Sequence, residues 1–382
     1  LDPIVPNLLA PALRAKAKKL QQKIAQLKAR NAFDETEFFN ALTQYGARHH
    51  ADFMSGVFRY RQSPIHRTLQ DPLAVWEKGS TRLLDFGTKD AGDVVLVIPS
   101  LINRYTILDL DEKQSFVRAL AARGYHPYLL DWNVPGQEEL GFDIDDYIGK
   151  RLLHALEWLF EKTGKRVHVV GYCMGGLLAA AAAMHAEDKI RSLMFLATPW
   201  DFHAGEGTLA QRVEEMLPVL QPLLDAWGYM PVDVLQCFFI SQQPFYPLEK
   251  FQKFNSMKEE SPAFKNFVLL EDWVNDGVPL ARKVTDECFS KWYVENAPVR
   301  ETWSVLDKQV LPATLSVPSL HVIPQRDKIV PPESAKALAR LMQDSEMRQP
   351  SFGHVSMMGH PAAPHKLWPQ LFDWLDRVSG KP

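Results

Sequence analysis

Between Val167 and Gly176 an apolar segment, Val167-His168-Val169-Val170, runs directly into an alanine-rich one through Gly171-Tyr172-Cys173-Met174-Gly175, and few folds accommodate that junction. The β-branched run over Val167–Val170 predicts a buried strand, and Gly175–His185 predicts a helix. A Gly-x-Cys-x-Gly turn between strand and helix has the form of a nucleophile elbow, which holds its central residue in a strained conformation at the C-terminal edge of a sheet. A helix starting beneath the thiol brings its positive dipole end to the sulfur and favours the thiolate. Cys173 is therefore the candidate nucleophile. Cys237, within Leu235-Gln236-Cys237-Phe238-Phe239, and Cys288, in a helical stretch, read as small core residues.

The flanking sequence alternates strands and helices. Strands are expected at Thr81–Phe86, Val94–Ile98 (after a turn at Asp90-Ala91-Gly92-Asp93), Tyr128–Leu130, Ile190–Ala197 and Ser319–Pro324. Helices are expected at Asp111–Arg123, Ile144–Lys162, Ser334–Met342 and from about Lys366 to Val378. Short apolar strands joined by helical crossovers imply an α/β domain, with a mostly parallel central sheet covered by helices on both faces. The alternation breaks over residues 201–305, which are helix-prone, rich in Phe and Trp and interrupted by Pro, as an inserted cap would be. Residues 1–75 read as a helical N-terminal region and 76–382 as the catalytic domain. Within the former, Leu13, Leu20, Ile24 and Leu27 fall on one helix face, amid Arg14, Lys16, Lys18, Lys19, Lys23, Lys28 and Arg30. That helix reads either as a solvated element lying on the main domain or as a dock for an acidic partner or anionic interface.

Composition removes several function classes. With 46% hydrophobic and 23% charged residues, the chain is neither disordered nor fibrous. No apolar run approaches the roughly 18 to 20 residues that cross a bilayer. The basic cluster near the start follows the apolar stretch, the wrong order for a secretory signal. Three cysteines are too few and odd in number for a disulfide framework, so a cytoplasmic location is expected. A net charge of −3 offers nucleic acid no global attraction.

A thiol nucleophile needs a base, and the base an orienting acid, in the chain order nucleophile, acid, base. Asp327 ends the apolar segment Leu320–Ile323 plus its Pro-Gln-Arg turn, where a loop leaves the catalytic edge. His354 follows within Phe352-Gly353-His354-Val355-Ser356, with His360 and His365 in reserve. His168 and His321 lie in expected strands and read as satisfied core residues. The tetrahedral intermediate needs two amide donors. Met174, after the nucleophile, is one; Ile102, in the loop Pro99–Arg104, is the other, with Leu101 the near alternative. No His, Cys and carboxylate grouping has zinc spacing, so neither metal nor cofactor is expected.

Several blocks together resemble polyhydroxyalkanoate synthases: Pro99–Leu110, Leu130-Asp131-Trp132, Asp145–Ile148, Gly171–Gly176 and Thr198-Pro199-Trp200-Asp201-Phe202. The similarity spans roughly residues 80–360 and is nearest the short, class III-like catalytic subunits. It implies an α/β-hydrolase fold, a Cys173-Asp327-His354 triad and polymerisation of (R)-3-hydroxyacyl groups from CoA thioesters. It also implies a second synthase subunit, a homodimer formed through the cap and a place at the surface of storage granules. Two segments depart from the pattern: Met357–Pro364 after the histidine, and the N-terminal region.

The choice of sulfur points the same way. A thiolate attacking an acyl-CoA exchanges one thioester for another and leaves the acyl group activated for a hydroxyl acceptor. The aromatic residues Trp200, Phe238, Phe239, Phe245, Tyr246, Trp273, Trp292 and Tyr293 could line an apolar path and exclude water. An acyltransferase is the leading reading. A Cys-dependent thioesterase, esterase or polyester depolymerase on the same triad is the alternative, and a catalytically idle partner the third.

Overall fold

The computed structural model describes residues 11–88, 92–205, 208–241 and 243–381. Part of the expected turn at Asp90–Asp93 and the side chains of Leu13 and Arg14 lie outside the described residues. Contacts divide the chain into two units, residues 1–62 with Pro247–Met257, and Ser63–Tyr246 with Lys258–Pro382.

The smaller unit contains α1 (Pro11–Ala29) and α2 (Glu35–Gln62). Close approach fixes α2 against the 247–257 segment: a Cβ on Gly56 would lie 2.1 Å from the Phe251 carbonyl oxygen. Arg59 donates to the carbonyls of Phe254 (3.2 Å) and Met257 (2.9 Å), and Gln252 to that of His49 (2.7 Å).

The larger unit is built on an eight-stranded sheet: β1 (Ala74–Lys78), β2 (Thr81–Asp85), β3 (Val94–Ile98), β4 (His126–Asp131), β5 (Val167–Tyr172), β6 (Ile190–Leu196), β7 (Ser319–Val322) and β8 (Ser345–Arg348), in the order β1-β2-β4-β3-β5-β6-β7-β8. β3 to β8 are parallel; β2 runs antiparallel to β4 and to β1. Alternation along β3 sends Val94, Leu96 and Ile98 to the core on one face and Val95 and Val97 to the core on the other. Burial on both faces explains why β3 is a continuous apolar run.

The crossovers are α3 (Phe116–Ala122), α4 (Ile144–Tyr147), α5 (Leu153–Thr163) and α6 (Met174–Ala186). Every residue of α6 except His185 is buried, as its lack of a polar face requires. Residues 208–286 hold α7 (Thr208–Trp227), α8 (Val232–Ser241), α9 (Tyr246–Asn255), α10 (Pro262–Asn275) and α11 (Arg282–Asp286). The strand-and-helix pattern resumes with β7, α12 (Pro332–Leu341) and β8, then α13 (Ser356–Gly359), α14 (Ala363–Lys366) and α15 (Trp368–Ser379).

Three local expectations are corrected. The helix expected from Asp111 begins at Phe116, because Ser115 caps it by accepting from the Arg118 amide (3.1 Å) while Asp109–Asp111 pairs antiparallel with Gln114-Ser115. The helix expected over 144–162 is interrupted by a π-helical turn, Ile148–Leu152, whose fully buried Arg151 is held by Glu139 (2.6 Å) and Glu138 (2.7 Å). Cys237 is exposed, since α8 turns Leu235 and Phe238 inward instead.

Candidate active site

Cys173 stands between β5 and α6 with φ 54° and ψ −123°, a conformation L-residues rarely adopt. Such a residue costs about 1–3 kcal/mol and persists only where its surroundings over-determine it. Here the Cys173 amide donates to the Leu196 carbonyl (2.8 Å), and the Cys173 carbonyl accepts from the Gly176 amide (2.9 Å). Strand and helix meet so closely that a Cβ on Gly171 would lie 2.5 Å from the Gly176 Cα, and one on Gly175 would lie 2.1 Å from the Ile98 carbonyl oxygen. The glycines of the motif are thus dictated by space.

Asp327 and His354 arrive from the same sheet edge, on the loops after β7 and β8. Asp327 Oδ1 accepts from the amides of Ile329 and Val330, both at 2.9 Å, which fixes the carboxylate before any histidine is considered. Its Oδ2 accepts from His354 Nδ1 at 2.7 Å in a buried contact. With Nδ1 committed, Nε2 is the ring nitrogen available to the thiol. Burial pushes the His354 pKa down, but the charges of Asp327 and Cys173 and hydrogen bonds to both outweigh it and hold the imidazole well above its ordinary value.

Tyr172, inside the elbow, carries no signal of its own in the sequence beyond its place next to the nucleophile. Its ring lies against that of His354 (centroids 5.4 Å apart) and its hydroxyl donates to the His354 carbonyl at 3.3 Å. Burial, then the charges of Cys173 and Asp327, hold its phenol well above the usual range, so it serves as a neutral wall of the site.

Met174 opens α6, and the first amides of a helix have no partner within it. Ile102 sits in the loop after β3, but its amide donates to Ser100 Oγ at 3.1 Å and must release that bond to serve an oxyanion. The loop is anchored from several sides. Trp132 Nε1 donates to the Pro99 carbonyl (3.0 Å), the Val278 amide to that of Ile102 (3.1 Å) and Trp273 Nε1 to that of Arg104 (2.8 Å). His360 and His365 lie outside the Asp327–His354 contact; His360 Nδ1 accepts from the Ala362 amide (3.0 Å). His168 and His321 are buried and bonded to serines, His168 to Ser192 and Ser379, His321 to Ser319.

Among the aromatic residues of the inserted stretch and its flanks, Trp200, Phe238, Trp273 and Trp292 are buried, whereas Phe245 and Tyr246 are about half exposed (49% and 55%) and cannot line an internal path. Tyr293 is packed by Phe202 and Phe238, at centroid distances of 4.9 and 5.9 Å. Burial, more than the charges of Cys173 and Cys288, holds its phenol above the usual range.

Residues 93–214 match the family model described as the alpha/beta hydrolase fold. The solved structure named for a non-heme bromoperoxidase, BpoC, of Mycobacterium tuberculosis H37Rv has a TM-score of 0.52 at 14% identity, covering 81% of this chain and 99% of that one; this is a likeness of fold alone. Among curated proteins, the chain is 26% identical over 319 residues to the poly(3-hydroxyalkanoate) polymerase subunit PhaC of Haloarcula marismortui, covering 80% of this chain and 67% of the relative. It is 27% identical over 308 residues to PhaC of Haloferax mediterranei (78% of this chain, 62% of the relative). The figure for PhaC of Allochromatium vinosum is 26% over 286 residues (74% and 80%). The chain is a homologue of these polymerase subunits. It carries that relationship on an α/β-hydrolase fold, and it spans about two thirds of the length of the two haloarchaeal PhaC relatives.

Proposed function

We propose that this PhaC homologue transfers (R)-3-hydroxyacyl groups from CoA thioesters, through an acyl-enzyme on Cys173, to a hydroxyl-ended polyester chain. The observation that carries the reading is a strained cysteine whose imidazole neighbour is oriented by a buried carboxylate, in a chain homologous to polymerase subunits.

In the first half-reaction His354 Nε2 holds the proton of the Cys173 thiol, and the thiolate adds to the thioester carbonyl. The oxyanion that forms faces the Met174 amide and, once it is released from Ser100, the Ile102 amide. Collapse breaks the carbon–sulfur bond to CoA, whose thiolate takes the proton from His354. In the second half-reaction the same imidazole removes the proton of a hydroxyacyl hydroxyl, and the oxygen attacks the Cys173 thioester. An ester forms, and the sulfur leaves with the imidazolium beside it. Throughout, Asp327 keeps Nδ1 protonated and the ring aimed. Every step uses a side chain, an amide or a substrate atom, so no cofactor is part of the scheme.

Among the described residues no helix is long and apolar enough to cross a membrane. A cytoplasmic setting at the surface of storage granules, a homodimer and a second synthase subunit complete the proposal on the strength of the resemblance. The test is 3-hydroxybutyryl-CoA turnover. Release of CoA with accumulating polymer supports the reading; release of CoA with free acid alone assigns the same triad to hydrolysis and refutes it.

A further inference from the structure

Pro99, the first residue of the oxyanion loop, has no N–H, so its carbonyl is the only backbone group by which it can be held. That carbonyl lies against the elbow, 2.7 Å from the place a Cβ on Gly175 would take. Its partner is the indole of Trp132, whose Nε1 donates to it at 3.0 Å in a buried contact. Trp132 belongs to the Leu130-Asp131-Trp132 block, which the triad chemistry leaves unused.

The indole has little freedom to point elsewhere. Trp132 is buried, and its ring meets Tyr147 edge-on at a centroid distance of 5.6 Å, with Phe142 against Tyr147 at 5.3 Å. The backbone around it is fixed as well. Asp131 Oδ2 is held by Arg82 (2.6 Å), Asp131 Oδ1 accepts from the Asn133 amide (2.9 Å), and the Trp132 carbonyl accepts from Ser80 Oγ (3.2 Å). Asn133 stands in the left-handed region (φ 59°), which Asn tolerates better than most residues. Its Oδ1 accepts from Arg104 Nη1 (3.3 Å) at the far end of the oxyanion loop. Residues 131–133 thus grip that loop at Pro99 and again at Arg104. Leu101, Trp132 and Met174 also share one apolar cluster, so the loop, the indole and the first residue of α6 pack as one body.

We infer that Trp132 is a positioning residue for acyl transfer: by holding the Pro99 carbonyl, its N–H sets where the Ile102 amide stands relative to the Met174 amide. The inference rests on the acyl-enzyme reading and on Ile102 as its second oxyanion donor. A donor moved off its place stabilises the oxyanion less. The thiolate is untouched by that movement, because Asp327 and His354 reach Cys173 on other loops. Trp132 therefore governs addition to a carbonyl and not the nucleophilicity of the sulfur.

The test compares two reactions of Cys173 in the full-length chain. Acylation by p-nitrophenyl butyrate forms the Cys173 thioester, expels p-nitrophenolate and passes through an oxyanion. Alkylation by iodoacetamide displaces iodide at a saturated carbon and passes through none. Both are followed at the Cys173 peptide by mass spectrometry. Removing an oxyanion donor outright costs about 10²- to 10³-fold, so loosening one in Trp132→Phe is expected to slow acylation by about 10-fold, with the half-saturating ester concentration and the alkylation rate within about 2-fold of the parent. Asn133→Gly keeps the left-handed backbone and removes the Arg104 contact; it is expected to slow acylation by about 2- to 5-fold, and it carries the test if Trp132→Phe does not fold. Parent-like acylation in the folded variants, or acylation and alkylation falling in parallel, overturns the inference. A parent chain that is alkylated but takes no acyl group from the ester or from 3-hydroxybutyryl-CoA removes the acyl-enzyme reading and this inference with it. Selective loss of acylation in Trp132→Phe, beside a parent that makes no polymer from 3-hydroxybutyryl-CoA, keeps Trp132 in its role and removes the polymerase reading alone.

Discussion

At the residue scale, the claim with the clearest consequence concerns Asp327. Its Oδ2 accepts from His354 Nδ1, and its charge is the largest of the influences that raise the imidazole pKa against burial. Asp327→Asn keeps the shape and removes the charge. We expect kcat to fall by about 10²- to 10⁴-fold and the His354 pKa, followed by imidazole NMR, to drop; an unchanged pKa would mean that the carboxylate plays only a packing role. Cys173, Asp327 and His354 were legible because the chemistry demands those residue types in that order, after a strand–elbow–helix signal that spacing alone reveals. Tyr172 was not, because a phenol ring tilted against an imidazole is a matter of tertiary placement. The engagement of the Ile102 amide with Ser100 was equally hidden, since turn geometry is not written in residue type.

At the element scale, the elbow is a clearance problem. Gly175→Ala places a Cβ against the carbonyls of Ile98 and Pro99, at 2.1 and 2.7 Å, both backbone atoms that cannot rotate away. It is expected to cost about 1–3 kcal/mol by overpacking, read as a lowered urea midpoint, and to lower kcat as β3 and α6 separate. A variant as stable and as active as the parent would mean that the elbow tolerates more movement than its contacts imply. The sequence marked β3, β4, β5, β6 and β7 well because their runs are largely buried on both faces and rich in apolar residues. It missed β8, Ser345–Arg348, an edge strand whose Glu346 pairs with both Arg348 and Arg377 rather than with the core. It also missed β1, an antiparallel edge strand with an exposed face, where propensity and alternation are weak.

For the whole molecule, buried neutral histidines set the acid limit of stability. His168 is held by Ser192 (2.7 Å) and Ser379 (3.0 Å), and burial, assisted by the charge of Arg191, lowers its pKa to about 4 from an unfolded value of 6.5. A histidine depressed in the fold takes up its proton on unfolding, so its stabilisation is complete above pH 6.5 and is lost as pH falls towards 4. His321, lowered to about 3 by burial, acts in the same direction. His168→Gln is expected to flatten the decline of the urea midpoint between those pH values, removing up to about 3 kcal/mol of pH-dependent stability; a slope identical to that of the parent would contradict the assignment. His354 has the opposite sign: its raised pKa favours the fold below the unfolded value and that contribution disappears as pH rises through the folded one.

All of this leads to one covalent event at Cys173, and intact-mass spectrometry after mixing the protein with (R)-3-hydroxybutyryl-CoA observes it directly. The account predicts an adduct on the wild-type chain that grows by whole hydroxyacyl units and is missing from Cys173→Ala. An unmodified wild-type chain that still releases CoA, or an adduct that survives in Cys173→Ala, would contradict it.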